Sequence, residues 1–189
     1  MRRILFLLSL VSCICISAQS SKEGELIDRY LMGNPSLEKL AEIADILRRN
    51  DRIEQLPLYH PLKGKGRVSS SYGMRRHPIS GERKFHSGVD LAVTVGSSVH
   101  AAASGHVVFA GKKGGYGRCV IISHQYGYET IYAHLIAYYT KKGEIIRQGD
   151  VIGFVGSTGN STGNHLHYGV KHRGKPEKPY LSISIWNRK

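Results

Sequence analysis

Histidine and aspartate residues at short, regular spacings are the side chains of this sequence most suited to chemistry. His86 and Asp90 stand four residues apart. On a helix this spacing would share one face, but Gly88 and the apolar residues after Asp90 favour a strand, where an even spacing also keeps both side chains on one face. An imidazole and a carboxylate on one face are suited to binding a divalent metal ion.

A second pair of histidines, His165 and His167, flanks Leu166, and on a strand both imidazoles would face one way and Leu166 the other. His134 closes an alternating segment that also favours a strand.

Two histidines and one carboxylate form a zinc shell that leaves a position open for water. Zinc there lowers the pKa of water to about 7 and polarises a scissile carbonyl. Two further histidines nearby can take the water proton and stabilise a developing oxyanion. A lone histidine is more commonly a surface or core residue, so this interpretation depends on the motifs occurring together.

The elements that must position these side chains are short β-like runs, which begin after Gly66 and are separated by glycine-rich turns. Many short strands with such turns indicate a mostly β fold, an antiparallel sandwich or barrel-like domain. The predicted strands are Val89–Val93, His106–Ala110, Cys119–His124, Glu129–Leu135, Val151–Val155 and Leu166–Lys171.

The segment before this domain has a different texture. Residues 23–50 are predicted to be helical, with Asn34-Pro35 as an N-cap followed by proline at the first helical position. Apolar residues then recur at helical spacing. We expect a short helical N-terminal segment at 19–56, too small for its own core, which packs on the domain at 57–189 or spaces it from the envelope.

The first 18 residues predict an export signal. Arg2 and Arg3 precede an almost unbroken apolar run, which is too short to span a bilayer, and polar residues follow it. Cleavage after Ala18 gives a signal peptide of residues 1–18. The sequence up to Cys13 also resembles a bacterial lipobox, in which Cys13 would be lipidated, and membrane contact is expected only in that case.

Charge and cysteine content are consistent with export. The chain has 189 residues, 27 Lys+Arg and 14 Asp+Glu, for a net charge of +13, and loss of Arg2 and Arg3 would lower it to +11. Export argues against nucleic acid as a partner and favours anionic envelope polymers. Beyond the signal only Cys119 remains, so we expect a buried structural thiol and no disulfide framework.

Taken in order, the motifs resemble the LytM/lysostaphin-type M23 zinc metallopeptidases over roughly residues 66–180. The segments that carry the resemblance are His86-x-x-x-Asp90, Tyr132-Ala-His134-Leu135 and Ser161-Thr-Gly-Asn-His165-Leu-His167, with supporting matches at Gly73-Met-Arg75, Gly105-His-Val-Val, Gly114-Gly-Tyr-Gly117, Gly149-Asp-Val-Ile-Gly153 and Val155-Gly-Ser-Thr-Gly159.

The resemblance implies an antiparallel β domain with a groove over one zinc ion per chain. It implies an endopeptidase that cuts peptide stems or cross-links of bacterial peptidoglycan. His86, Asp90 and His167 match the zinc ligands of the family, and His134 and His165 match its catalytic histidines.

The sequence departs from the family at two positions: Asn164 stands where proline is common, and Gly169 where Glu or Gln is common. Neither position supplies a metal ligand, so we expect zinc to bind, while substrate fit is more open to change. We expect Arg75, His77 and Tyr132 to line the substrate groove.

Two other functions compete with the peptidase. One is a non-catalytic regulator of another cell-wall hydrolase, or a wall-binding module, on the same fold; the filled set of five site positions argues against it. The other is a basic protein whose main role is to adhere to an anionic polymer, and the positive net charge is the observation that suggests it. In each case we expect a monomer in the bacterial envelope, in the periplasm or at the cell surface.

Overall fold

The computed structural model describes residues 22–33, 35–76 and 81–182, and these form an antiparallel β domain with helices at its N-terminal side. Its strands are β1 (Arg67–Ser70), β2 (Gly73–Arg76), β3 (Arg83–His86), β4 (Gly88–Ala92), β5 (Ser98–His100), β6 (Gly105–Lys112), β7 (Arg118–Ser123), β8 (Tyr128–Tyr138), β9 (Ile145–Ile146), β10 (Val151–Val155), β11 (His165–His172) and β12 (Lys175–Glu177). The mostly β, antiparallel class predicted from the sequence is confirmed.

Most of the strands belong to one sheet of ten, in the order β1-β4-β11-β8-β7-β6-β9. Strand β10 pairs with β5 and β8, and β12 pairs with β11. Strands β2 and β3 form a separate two-stranded hairpin, joined to the large sheet through the short link from β3 to β4. The hairpin therefore stands beside the sheet as a wall.

The six strands predicted from the sequence correspond to β4, β6, β7, β8, β10 and β11, and the bounds of β10 are those predicted. The other six strands are two to four residues long. Runs this short carry too few alternating positions to be recognised by periodicity.

The N-terminal segment consists of α1 (residues 22–32), α2 (Leu37–Glu42) and α3 (Ala44–Arg49). The prediction that Asn34 caps a helix starting at Pro35 is wrong, because α2 begins at Leu37. Ser36 is its N-cap, with extended backbone and a hydroxyl that accepts from the Lys39 N–H at 3.4 Å. Asn34 itself lies outside the described residues.

The helices pack directly on the β domain, which is the first of the two arrangements expected from the sequence; the other was a spacer between the domain and the envelope. Leu31, Leu40 and Leu47 are buried in the same apolar cluster as Leu91 and Leu166 of the sheet. This cluster is continuous across the boundary predicted at residues 56 and 57.

Two polar contacts fix the position of the helical segment. The Tyr128 hydroxyl donates to the Pro35 carbonyl at 3.2 Å, and the Leu37 N–H donates to Glu177 Oε1 at 3.0 Å. These contacts tie the segment to the start of β8 and to the end of β12.

The predicted signal peptide and lipobox lie outside the described residues. Within the described ranges, the helices are too short or too polar to cross a membrane.

Candidate functional site

The site is built around β11, the strand between β4 and β8. In the antiparallel register His167 stands opposite Asp90 of β4 on one side and opposite Ala133 of β8 on the other. Directly opposed residues have neighbouring side chains on the same face. The sheet therefore brings Asp90 and His167, 77 positions apart in the chain, into contact.

Three potential metal-binding atoms converge at this point. Asp90 Oδ1 lies 2.9 Å from His167 Nδ1 and 3.1 Å from His86 Nε2, and the two nitrogens are 3.1 Å apart. Zinc–ligand bonds of about 2.0 Å in tetrahedral geometry place neighbouring ligand atoms about 3.3 Å apart. The triangle thus has the size, the donor types and the one-sided opening that a catalytic zinc ion requires. All three residues are buried.

The orientation of His86 is set by the chain just before the hairpin. Its Nδ1 lies 2.9 Å from the Ser71 carbonyl, to which it can only donate a proton, and this contact turns Nε2 toward Asp90 Oδ1, 3.1 Å away. The expectation that His86 and Asp90 share one strand is wrong. His86 ends β3 and Asp90 lies in β4, with a bend at Ser87 between them.

Gly88 makes room for the other imidazole of the triangle. A Cβ at this position would stand 2.9 Å from His167 Nε2 and 2.5 Å from the Tyr168 carbonyl. His167 turns Nδ1 to the triangle, and its buried Nε2 has no hydrogen-bond partner among the described residues. A side chain at residue 88 would therefore displace a candidate ligand.

Asp90 is held as a carboxylate. Burial alone would raise its pKa, but hydrogen bonds with His167 and His86 outweigh burial and lower the pKa below its ordinary value. The second oxygen, Oδ2, lies 3.4 Å from a guanidinium nitrogen of Arg75. One carboxylate oxygen is thus directed to the triangle and the other to a cation, an arrangement that favours binding a metal through Oδ1 alone.

Two further imidazoles, His134 and His165, stand beside the triangle with their ring centres 4.6 Å apart. His134 donates from Nδ1 to the Thr158 carbonyl at 2.7 Å, and His165 donates from Nδ1 to the Gly163 carbonyl at 2.8 Å. Each Nε2 is left for the groove, and that of His165 lies 3.9 Å from Asp90 Oδ1. Burial lowers the pKa of His134 to about 4, so this ring is neutral at neutral pH.

A β-bulge directs His134 into the site. Leu135 pairs with Arg118 and Tyr132 pairs with Val120, so three steps along β8 correspond to two along β7. The backbone of His134 accommodates the bulge, with a φ of 62°. Bulges redirect side chains. The regular alternation expected for His134 is therefore wrong, since it would place the imidazole on the face opposite that of Ala133 and His167.

The groove over the site has a volume of about 850 Å³. The β2–β3 hairpin forms one wall, and Gly115, Tyr116, Asn160 and Thr162 line the other. Within residues 22–33 and 35–58 the structure places no residue in the lining, so the described helices leave the groove open.

Of the three residues expected to line the groove, Arg75 does so. Tyr132 does not: its ring is fully buried and its hydroxyl accepts from the Ala102 N–H at 2.7 Å. It points to the core side of β8, opposite Tyr168, because it precedes the bulge. His77 lies outside the described residues.

Several groups at the site escaped sequence reasoning. The carbonyls of Ser71, Thr158 and Gly163 orient three imidazoles, and carbonyl acceptors carry no sequence signal. Tyr116 packs against His167 with ring centres 5.4 Å apart. The signal for it was the Gly114-Gly-Tyr-Gly117 match, which did not distinguish a packing residue from a turn.

The other described histidines lie outside the groove lining, and several of them have structural contacts. His124, for example, connects Ser104 with Thr130, and His172 stacks on Tyr128 with ring centres 3.9 Å apart. Cys119 is a buried free thiol as expected, and burial raises its pKa.

Comparison with known proteins agrees with this geometry. Residues 84–179, about half of the chain, match the family model described as Peptidase family M23. The chain belongs to peptidase family M23. All five residues of the triangle and its flanking imidazoles fall within the matched M23 range.

Three relatives of this M23 chain illustrate the similarity. The DD-carboxypeptidase/endopeptidase Mpg of Neisseria meningitidis is 50% identical over 119 residues, covering 63% of this chain and 27% of Mpg. The peptidoglycan DD-endopeptidase ShyA of Vibrio cholerae is 35% identical over 130 residues, covering 68% of this chain and 30% of ShyA. The solved structure of a zinc-containing peptidase from Vibrio cholerae matches 66% of this chain and 39% of its own, at 32% identity and a TM-score of 0.60. The chain thus spans less than a third of the length of these two curated relatives.

Proposed function

We propose that this M23 domain is a zinc-dependent endopeptidase that hydrolyses peptide bonds in the stems or cross-links of bacterial peptidoglycan. One observation carries the proposal: three metal-binding atoms lie about 3 Å apart beside two imidazoles that both direct Nε2 to the same groove. The name of the relative ShyA, a peptidoglycan DD-endopeptidase, supports the choice of peptidoglycan as substrate, and that of Mpg supports endopeptidase activity.

In this proposal His86 Nε2, Asp90 Oδ1 and His167 Nδ1 hold one zinc ion per chain. Zinc bound there supplies Lewis acidity toward a peptide carbonyl and makes a water a better nucleophile. Because the three donor residues are buried, electrostatic interactions among them are screened less than in solution.

The two flanking imidazoles move protons. His134 is neutral at neutral pH, and because its Nδ1–H is engaged by the Thr158 carbonyl, its Nε2 can only accept. It takes the proton of the attacking water and passes it to the leaving amine. His165, when protonated, donates from Nε2 to the developing oxyanion of the scissile carbonyl.

The domain is proposed to act at the cell envelope, where the polymer is. Positive charge outside the site would hold the protein near anionic envelope polymers, an effect that salt screens. Envelope location rests on the predicted export signal and on the peptidoglycan activity in the name of ShyA.

The test is digestion of purified peptidoglycan by the purified protein, with mass spectrometry of the released fragments. Hydrolysis should stop after treatment with a chelator and return when zinc is added back. His165→Ala should abolish hydrolysis while its zinc content stays at one per chain. Full hydrolysis by protein shown to be metal-free would contradict the zinc mechanism. Zinc-loaded protein that binds peptidoglycan but does not cut it would favour the non-catalytic regulator of another cell-wall hydrolase.

A further inference from the structure

The β2–β3 hairpin carries an unfavourable arrangement of charge. Arg75 stands directly opposite Lys84, and Arg76 directly opposite Arg83. Like charges at directly opposed positions destabilise an antiparallel pair. A local arrangement that opposes stability is characteristic of a functional surface.

One of these two pairs faces the site. Side chains two residues apart on a strand share a face, so Lys84 lies on the same face as His86. Arg75, opposite Lys84, shares this face, and its guanidinium reaches Asp90. Lys84 and Arg75 both line the groove.

The groove as a whole is deficient in negative charge. Among its described lining residues the cations are Arg75, Arg76 and Lys84, and the one carboxylate is Asp90. Asp90 is already engaged by His86, His167 and Arg75. Bound zinc would add further positive charge, so a ligand carrying an anionic group is favoured.

Lys84 is the cation best able to meet that group. Its ammonium lies 2.9 Å from Glu82, but both side chains are more than half exposed, at 52% and 67%. Exposed ion pairs of this kind contribute little stability, so a carboxylate in the groove can replace Glu82 as the partner. Arg75, by contrast, is held by Asp90.

We propose that Lys84 binds a free carboxylate of the substrate, so that the site prefers an acidic peptide. This proposal rests on the proposed function and names its substrate class. Lys84 precedes His86 by two residues, a distance of roughly 7 Å along a strand. The carboxylate therefore belongs to a residue within about two positions of the scissile bond.

The experiment compares two cross-linked peptides that differ at one group, a free carboxylate or a carboxamide on the residue beside the scissile bond. KM and kcat are measured for both with the zinc-loaded full chain. The wild-type protein should show a KM about tenfold or more lower for the acid, which corresponds to the lower end of the range for a hydrogen bond to a charged group, with similar kcat. In Lys84→Gln the ratio of the two KM values should fall to near one, and in Lys84→Arg it should persist.

Lys142→Gln is the matched control, because Lys142 is an exposed lysine outside the groove lining, and the KM ratio should stay at the wild-type value. Equal KM values for acid and amide in the wild type, or an unchanged ratio in Lys84→Gln, would overturn the carboxylate site while leaving the peptidase intact. If the wild type cuts neither peptide, calorimetric binding of the same pair still decides. Preferential binding of the acid that Lys84→Gln removes supports the carboxylate site alone, and equal binding overturns it.

Discussion

His134 and His165 take their orientation from one loop, the segment between β10 and β11. The carbonyl of Thr158 accepts from His134 Nδ1, and the carbonyl of Gly163 accepts from His165 Nδ1. In a neutral imidazole, the hydrogen-bond partner of one ring nitrogen determines which of the two nitrogens carries the proton. A displacement of this loop therefore changes both proton carriers at once, without touching the metal triangle.

Gly117→Ala should impair catalysis through this loop. Gly117 has a φ of 63°, and a Cβ there would meet Thr158 backbone atoms, so the loop and its carbonyl must move. We expect kcat to fall by about 100-fold, as for a misplacement of about 1 Å. Zinc content, measured by elemental analysis, should remain at one per chain.

The control for this variant is Gly143→Ala. Gly143 also has a positive φ, 89°, but a Cβ there meets nothing within 4 Å. Both variants should lose stability, by about 1–3 kcal/mol for a strained backbone, and only Gly117→Ala should lose activity. Equal kinetic losses in the two would show that the loop contact is irrelevant.

Removal of a proposed metal ligand should abolish zinc binding, whereas removal of a proposed proton carrier should leave the zinc content unchanged. His86→Ala deletes one corner of the triangle and should lose both zinc and hydrolysis, because Asp90 and His167 alone provide two donors. His134→Ala should keep zinc but lower kcat by about 10²- to 10⁴-fold, the contribution of general acid–base catalysis. Zinc retention by His86→Ala would remove this residue from the proposed ligand set.

The helical segment should contribute to global stability. Leu40 of α2 is fully buried in the core shared with the sheet, so Leu40→Ala should lower the free energy of unfolding by about 2–5 kcal/mol. Denaturant unfolding followed by circular dichroism in the far and the near ultraviolet should give one transition. Leu26→Ala, a change at a side chain 62% exposed in the same segment, should have an effect below about 0.5 kcal/mol. A separate early transition in Leu40→Ala would mean that the helices unfold independently.

Acid should destabilise the protein through His124. Burial lowers the pKa of this imidazole to about 4 in the folded state, against an ordinary 6.5. The unfolded chain therefore takes up the proton first as the pH falls, and stability present above pH 6.5 is lost progressively down to pH 4. Between pH 7 and pH 5 this amounts to about 2 kcal/mol for a buried group with such a shift.

His124→Gln isolates this contribution. The fall in unfolding free energy between pH 7 and pH 5 should be smaller in the variant, because the pH dependence of the other groups, including the metal site, is common to both proteins. Chemical denaturation at the two pH values measures the difference. Identical falls in the two proteins would contradict the assignment.

Local alternation was enough to predict part of the site. His165 and His167 lie on one face of β11 with Leu166 in the core behind them, because alternation along a strand depends only on the strand itself. The bounds of β10 were predictable for the same reason. The functional roles of these histidines remain proposals.

What could not be predicted depends on neighbouring strands. The bulge that directs His134 into the groove exists only in the pairing of β8 with β7, and the same offset explains why Tyr132 is a core residue. The break between His86 and Asp90 depends on His86 belonging to a separate hairpin. Pairing partners are not encoded at short range, so no spacing rule applied to one segment finds them.

The position of β1 bears on how this enzyme can be produced. Strand β1 pairs with β4, the strand that carries Asp90, and so occupies the edge of the sheet at the site. A recombinant fragment limited to the matched family range, 84–179, would lack β1, β2 and the helices that cover the core. It would present β4 as an unpaired edge beside exposed leucines, a combination that promotes aggregation in solution. Fragments for crystallisation should therefore retain the chain from residue 22 onward.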